Sequence, residues 1–170
     1  MNILWAPWRE KYVVNFANPS QKNKCVFCAI FNERKDKKNW IFIRSAHSFA
    51  VLNIYPFNGG HSLIIPNRHV EDLSQLNEEE MKDLMDLVIR TKELTAKAIA
   101  PHAFNVGLNL GHIAGAGIPH HLHIHIVPRW KGDTNFMPAI FETKVMPISL
   151  AKVYKKFKDA DKTGHRKVRK

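Results

Sequence analysis

His120-His121-Leu122-His123-Ile124-His125-Ile126-Val127-Pro128 is the stretch that decides how this chain is read. From His121 onward, histidine alternates with an apolar residue. Side chains on a strand point to opposite faces in turn, so His121, His123 and His125 share one face and Leu122, Ile124 and Ile126 the other. A solvated strand face ordinarily mixes Thr, Lys, Glu and Arg, whereas three imidazoles in register point to chemistry. One face is suited to a core, the other to a site.

Working outward, Gly111-His112-Ile113-Ala114-Gly115-Ala116-Gly117-Ile118-Pro119 is too rich in glycine for regular structure and delivers the chain into the histidines. Such a backbone can come close to a phosphate. Residues 103–110 read as a strand with Phe104, Val106 and Leu108 on one side. Before them, Asn77-Glu78-Glu79-Glu80 reads as a helix N-cap with a glutamate three residues on, and Met81, Leu84, Met85, Val88, Thr95 and Ile99 form an apolar stripe that ends at Pro101. Earlier still, residues 40–44, 49–54 and 61–65 are β-rich runs separated by turn-like stretches that include Tyr55-Pro56-Phe57-Asn58-Gly59-Gly60, which suggests an antiparallel meander. Residues 32–39 read as a charged loop.

At the N-terminus, Trp5-Ala6-Pro7-Trp8-Arg9 is aromatic and broken by proline, and reads as an arm that docks on a surface. At the other end, residues 152–170 hold nine Lys/Arg against Asp159 and Asp161, so this tail carries +7 of the chain's +11. It is expected to open as a helix from Ser149, with Val153 and Phe157 four apart, and to dissolve at Gly164. A run of like charge is more often solvated than bound to nucleic acid, and no interleaved aromatic pattern supports sequence-specific recognition. Nucleic-acid contact therefore ranks last among the readings.

The chain has 170 residues, 45% of them hydrophobic, which suits one domain with a real core. No apolar run approaches a membrane span, and Met1-Asn2-Ile3-Leu4-Trp5 has no signal-peptide character, so a soluble cytoplasmic protein is expected. The two cysteines, in Cys25-Val26-Phe27-Cys28, argue against a disulfide framework and for metal binding or thiol redox chemistry.

Histidine, any residue, histidine, any residue, histidine, with apolar residues between, resembles the signature of the histidine triad family. Leu52-Asn53-Ile54-Tyr55-Pro56 followed by Gly60-His61-Ser62-Leu63-Ile64-Ile65-Pro66 is similar to that family's ribose-binding strand and the strand after it. The N-terminal Trp-Ala-Pro-Trp-Arg and the Gly132-Asp133-Thr134-Asn135-Phe136-Met137-Pro138 segment resemble the bacterial branch associated with diadenosine tetraphosphate phosphorylases. The third histidine, His125, is instead that of the hydrolase branches, so water and phosphate both stand as acceptors.

The resemblance implies a catalytic group of His61, His121, His123 and His125, with His123 as the nucleophile that takes a nucleotidyl group, His125 bonded to a phosphate oxygen, and His61 ordering the triad. It implies that Asn53 binds the ribose hydroxyls, that Asn109 lies on the phosphate side, and that Gly115, Ala116 and Gly117 offer backbone N–H groups to the phosphates, with Ile118 next to them. Leu52 would line the nucleotide together with Ile41, Phe49 and Leu63, or else belong to the core. It also implies structural Zn2+ on Cys25, Cys28, His69 and His121, with no cofactor required for catalysis. The expected architecture is α+β: an antiparallel sheet with one long helix packed on it, spanning residues 25–148, preceded by an arm over 1–24 and followed by a basic tail over 149–170. A nucleotide or dinucleoside polyphosphate is the expected substrate and a homodimer or higher homo-oligomer the expected assembly. The alternative is a protein of the same kind that senses nucleotides with little turnover.

Overall fold

The computed structural model describes residues 25–133 and 146–165. The Trp5–Arg9 docking arm, and the part of the 129–138 segment beyond Asp133, lie outside the described residues. The described elements are α1 (Val26–Glu33), α2 (Asp36–Asn39), β1 (Ile41–Arg44), β2 (Ser48–Leu52), β3 (Ser62–Pro66), a 3-10 turn (Leu73–Gln75), α3 (Glu78–Ile99), β4 (Ala103–Leu108), β5 (Ile124–Arg129) and α4 (Leu150–His165).

All pairings in the five-stranded sheet are antiparallel, in the order β1-β2-β3-β5-β4. The expected meander is present as β1 to β3. The chain then leaves through α3, returns along the edge as β4, and inserts β5 between β3 and β4. That insertion places the histidine stretch inside the sheet, with His125 opposite Leu63 on one side and Gly107 on the other. The strand itself starts only at Ile124, so His121, Leu122 and His123 precede it. The alternation nevertheless holds: Leu122, Ile124 and Ile126 are buried in the cluster that α3 covers, and the histidines turn to the opposite face.

That opposite face is covered as well. Phe27, Ile30 and Phe31 of α1 pack over Ile41, Phe49, Val51, Leu63 and Ile65. With helices on both sides, β2 and β3 are buried at every position, which is why they read as continuous apolar runs. The sequence reading missed α1 altogether, and residues 32–39 hold the end of α1 and all of α2 where a charged loop was expected. α1 ends at Arg34 in the left-handed conformation, and α2 is held because Asp36 accepts a bidentate contact from Arg44 at 2.7–3.1 Å.

The N-terminus of α3 follows its expected logic. Asn77 Oδ1 accepts from the Glu80 N–H at 2.8 Å while Glu80 Oε2 accepts from the Asn77 N–H at 3.1 Å, and three glutamates in the first turn complement the helix dipole. Its buried face is displaced from the expected stripe. Leu84, Leu87, Val88, Thr91, Leu94 and Thr95 are buried, whereas Met85 is 45% exposed. Residues 84, 88, 91 and 95 repeat at the true helical period, and Met85 lies about 100° round the helix from Leu84.

Val153 and Phe157 of α4 enter the same core as α3, where Phe157 meets Phe42 edge-on at 5.0 Å. Burying them contributes roughly 1.5–3 kcal/mol each. Tyr154 Oη and Lys158 Nζ donate to the Ile41 and Phe42 carbonyls, and Arg90 pairs with Asp161 at 3.0 Å. Part of the charge in the basic tail is thus used within the fold, and the helix runs through Gly164 to His165 instead of stopping before it. Among the described residues no helix is long and apolar enough to cross a membrane.

Candidate active site and metal centre

Gly59 and Gly60 set the position of the site's first histidine. Gly60 has φ +85°, and a Cβ on it would stand 2.6 Å from Ile99 Cδ1; a Cβ on Gly59 would stand 2.6 Å from Ile148 Cγ2. Only glycine lets the turn press against the α3 side of the core and still enter β3 with His61 facing the triad. Asn58 holds the same turn from the other side, donating to the Pro128 carbonyl at 3.0 Å and to Asp133 at 2.7 Å. Asp133 in turn is gripped by Arg129 at 2.6–2.9 Å.

Backbone partners settle the tautomer of each buried histidine, because an amide only donates and a carbonyl only accepts. The Phe57 N–H donates to His61 Nδ1 at 3.1 Å, so His61 carries its hydrogen on Nε2. His61 Nε2 lies 2.9 Å from His125 Nδ1 and donates to it, which leaves the hydrogen of His125 on Nε2. His123 Nδ1 donates to the His121 carbonyl at 2.8 Å, and its Nε2 therefore holds a lone pair. His121 Nε2 donates to the Pro66 carbonyl at 3.0 Å, which turns a bare Nδ1 toward the cysteines. Four imidazoles have become two proton donors and two lone-pair donors.

These roles need uncharged rings, and burial favours the neutral form of His61, His121 and His123. His61 is pushed down to about 3, first by burial and then by the neighbouring His125 and His123. His121 is lowered to about 4, mainly by burial, against the opposing pull of the Pro66 carbonyl. His123 is lowered too, again by burial, with the His121 carbonyl opposing.

At the other end of the histidine stretch, Cys25, Cys28, His69 and His121 bring their ligand atoms within 4.8 Å of one another. Cys25 is the N-cap of α1 and Cys28 lies one turn on, so both sulfurs face the same way. Cys25 Sγ is 3.1 Å and Cys28 Sγ 3.6 Å from His121 Nδ1, and Cys28 Sγ is 3.4 Å from His69 Nδ1. The N···S edge of a tetrahedral zinc site is about 3.6 Å, given the usual bond lengths. Burial, followed by the adjacent Cys25, raises the Cys28 thiol to about 11. The Cys28 thiol so placed resists ionisation until a cation joins it. The donor set, its spacing and the fixed tautomer of His121 all suit a tetrahedral metal, and these four residues could hold one.

The remaining expected residues fall into three groups. Asn53 stands beside the histidine group, with Nδ2 3.3 Å from His61 Nδ1, while its Oδ1 accepts from the Tyr55 N–H at 2.9 Å as a turn asparagine does. Asn109 and Gly115 lie together: Gly115 has φ +89° and its Cβ position is 3.9 Å from Asn109 Nδ2. Ala116 is buried and Ile118 packs on the histidine-side cluster, but the Gly115 N–H donates to the His112 carbonyl at 3.0 Å. That amide closes a turn, which narrows the expected phosphate cradle to Ala116 and Gly117. Leu52 requires a correction. It is 1% exposed in the cluster under α3, whereas Ile41, Phe49 and Leu63 belong to the opposite face, so these four side chains do not line one slot. Phe49 and Leu52 lie three apart on β2 and so face opposite ways.

Two contributors went unread in the sequence. One is the set of backbone groups that fix the tautomers, which carries no residue signal. The other is Phe27, whose ring meets His121 at 5.6 Å and His123 at 5.2 Å, both edge-on; its position between the two cysteines was the available hint.

The HIT domain family model matches residues 34–132. The chain belongs to the HIT domain family. Among its HIT relatives is a protein named AP-4-A phosphorylase from Mycobacterium tuberculosis, 38% identical over 148 residues, which are 85% of this chain and 76% of that protein. The fold is also that of a solved histidine triad nucleotide-binding protein from Sulfolobus tokodaii, described as hypothetical, with TM-score 0.69 and 25% identity over 85% of this chain and 96% of that one. A Zn-bound histidine triad family protein from Mycobacterium smegmatis superposes with TM-score 0.64 at 23% identity, covering 85% of this chain and 97% of the other.

Proposed function

We propose that this HIT protein is an enzyme that transfers a nucleotidyl group from a dinucleoside polyphosphate, such as diadenosine tetraphosphate, to phosphate or water through a covalent nucleotidyl-histidine. The observation that carries the reading is the 2.8 Å bond from His123 Nδ1 to the His121 carbonyl, which leaves Nε2 as a neutral, oriented nucleophile. In the first half-reaction Nε2 forms a bond to the α-phosphorus, and the bond from that phosphorus to the bridging oxygen breaks with its electrons leaving on the polyphosphate. In the second, an oxygen of phosphate or water displaces His123 and restores the lone pair. His125, with hydrogen on Nε2, donates to a phosphate oxygen as charge develops there. His61 holds His125 in that tautomer. Asn53 binds the ribose hydroxyls, and Asn109 with the Ala116 and Gly117 amides receives the phosphates.

Cys25, Cys28, His69 and His121 bind Zn2+ as a closed structural site that anchors α1 to the histidine stretch. The 38% identity to a protein named AP-4-A phosphorylase supports the substrate class and favours phosphate as acceptor. A homodimer is the expected assembly, supported by the family resemblance and by the exposed edge strand β4, where Val106 is half exposed.

Incubation with diadenosine tetraphosphate, with and without inorganic phosphate, tests the reaction. ADP plus ATP formed only with phosphate is the expected outcome. AMP plus ATP without phosphate makes water the acceptor, and tight nucleotide binding with no product under either condition overturns the enzymatic reading.

A further inference from the structure

Phe27 makes ring contacts with both His121 of the Cys/His cluster and His123. It is 4% exposed, sits between Cys25 and Cys28 on the first turn of α1, and meets the rings of His121 and His123 edge-on at 5.6 and 5.2 Å. His121 links the same two regions through the backbone: its ring faces Cys25 at 3.1 Å while its carbonyl accepts from His123 Nδ1 at 2.8 Å. His123 thus has two supports, a hydrogen bond that selects its tautomer and the Phe27 ring packed against the imidazole at an interplanar angle of 62°. Both supports hang on residues of the Cys25–Cys28–His69–His121 cluster.

We propose that Phe27 is a positioning residue for His123, and that with the His121 carbonyl it makes the orientation of the nucleophile depend on whether the metal centre is filled. The inference rests on the nucleotidyl-transfer reading for its kinetic consequence but not for its structural one. An aromatic ring edge carries partial positive charge and fixes an angle, which an aliphatic side chain of similar bulk does not. An imidazole free to swing by tens of degrees spends less time aligned with a phosphorus, and loss of comparable supporting contacts around metal and catalytic groups costs about 10–100-fold in activity.

The test compares the full-length zinc-loaded protein with Phe27→Leu and Phe27→Ala. Metal content by elemental analysis, 15N-detected histidine tautomers and steady-state turnover of diadenosine tetraphosphate are measured on each. Phe27→Leu should keep one zinc per chain and a cooperative melt, yet lose about tenfold in kcat with KM within about twofold, and its His123 ring signals should broaden or split between tautomers. Stripping zinc from the wild type should reproduce the same change in the His123 signals, and stripping it from Phe27→Leu should add little to what the substitution has already done. A Phe27→Leu protein with wild-type kcat and a single sharp His123 tautomer overturns the proposal, as does a stripped wild type whose His123 signals do not change. If Phe27→Ala fails to fold, Phe27→Leu alone decides. A wild type that never turns over the substrate defeats the proposed reaction while the tautomer measurement still judges Phe27.

Discussion

The two ends of the histidine stretch use the same residue type for opposite purposes. Around His121 possible metal ligands converge: His121 and His69 both turn Nδ1 toward sulfur, and the four candidate ligand atoms crowd within 4.8 Å. Around His125 donors and acceptors alternate instead, from the Phe57 N–H to His61 and from His61 to His125, so a proton rather than a lone pair is presented at the end. His123 lies between, its tautomer chosen by the carbonyl of His121, the residue that faces the cysteines. The difference teaches that an imidazole's role is set by what its second nitrogen meets. A carbonyl there makes a ligand or a nucleophile; an acceptor lone pair fed by an N–H makes a hydrogen-bond donor.

The largest effect should come from the residue between the two ends. His123→Ala removes the proposed nucleophile, so turnover should fall by at least about 10³-fold while nucleotide affinity, measured by calorimetry, stays within a few-fold. Substantial residual turnover would mean that another group attacks, and the division of labour drawn above would fail.

A smaller but diagnostic effect separates the Cys25–Cys28 end from the His61–His125 end. Cys28→Ser removes a soft ligand and should lower zinc affinity by at least about 100-fold in a competition titration, with a fall in melting temperature, while the His61–His125 pair keeps its tautomers. If the catalytic pair loses its tautomers along with the zinc, the two regions are one unit.

The mildest test is acid titration of stability. His61 sits at about 3 in the folded protein against 6.5 ordinarily, so below pH 6.5 the unfolded chain binds a proton that the folded chain refuses. Its contribution is complete above pH 6.5 and is lost as pH falls toward 3, with a slope approaching about 1.4 kcal/mol per pH unit for this one group. Denaturant melts from pH 7 to pH 4 should show the loss, and His61→Asn should reduce it, leaving the part carried by His121 and His123. A wild-type stability that does not change over that range would mean that His61 protonates freely in the fold.

The alternation of histidine with Leu122, Ile124 and Ile126, the Asn77–Glu80 capping box, the β1 to β3 meander and the Val153–Phe157 pair were legible in the sequence, because each is a local period or a contact within one turn. The Cys25–Cys28 spacing pointed to metal binding or thiol redox chemistry for the same reason. What only the tertiary structure decided is which group each histidine faces. Leu52 illustrates the limit: three residues along a strand from Phe49, it went to the other face and into the core. So does Phe27, which lies between the two cysteines in sequence but reaches His121 and His123 only because α1 folds across the sheet. The carbonyls of Pro66 and His121 and the amide of Phe57 are the same in every sequence, and only folding places them 2.8–3.1 Å from an imidazole nitrogen. Residue type supplies the capacity to give or take a proton, and the backbone that comes within reach decides which of the two is done.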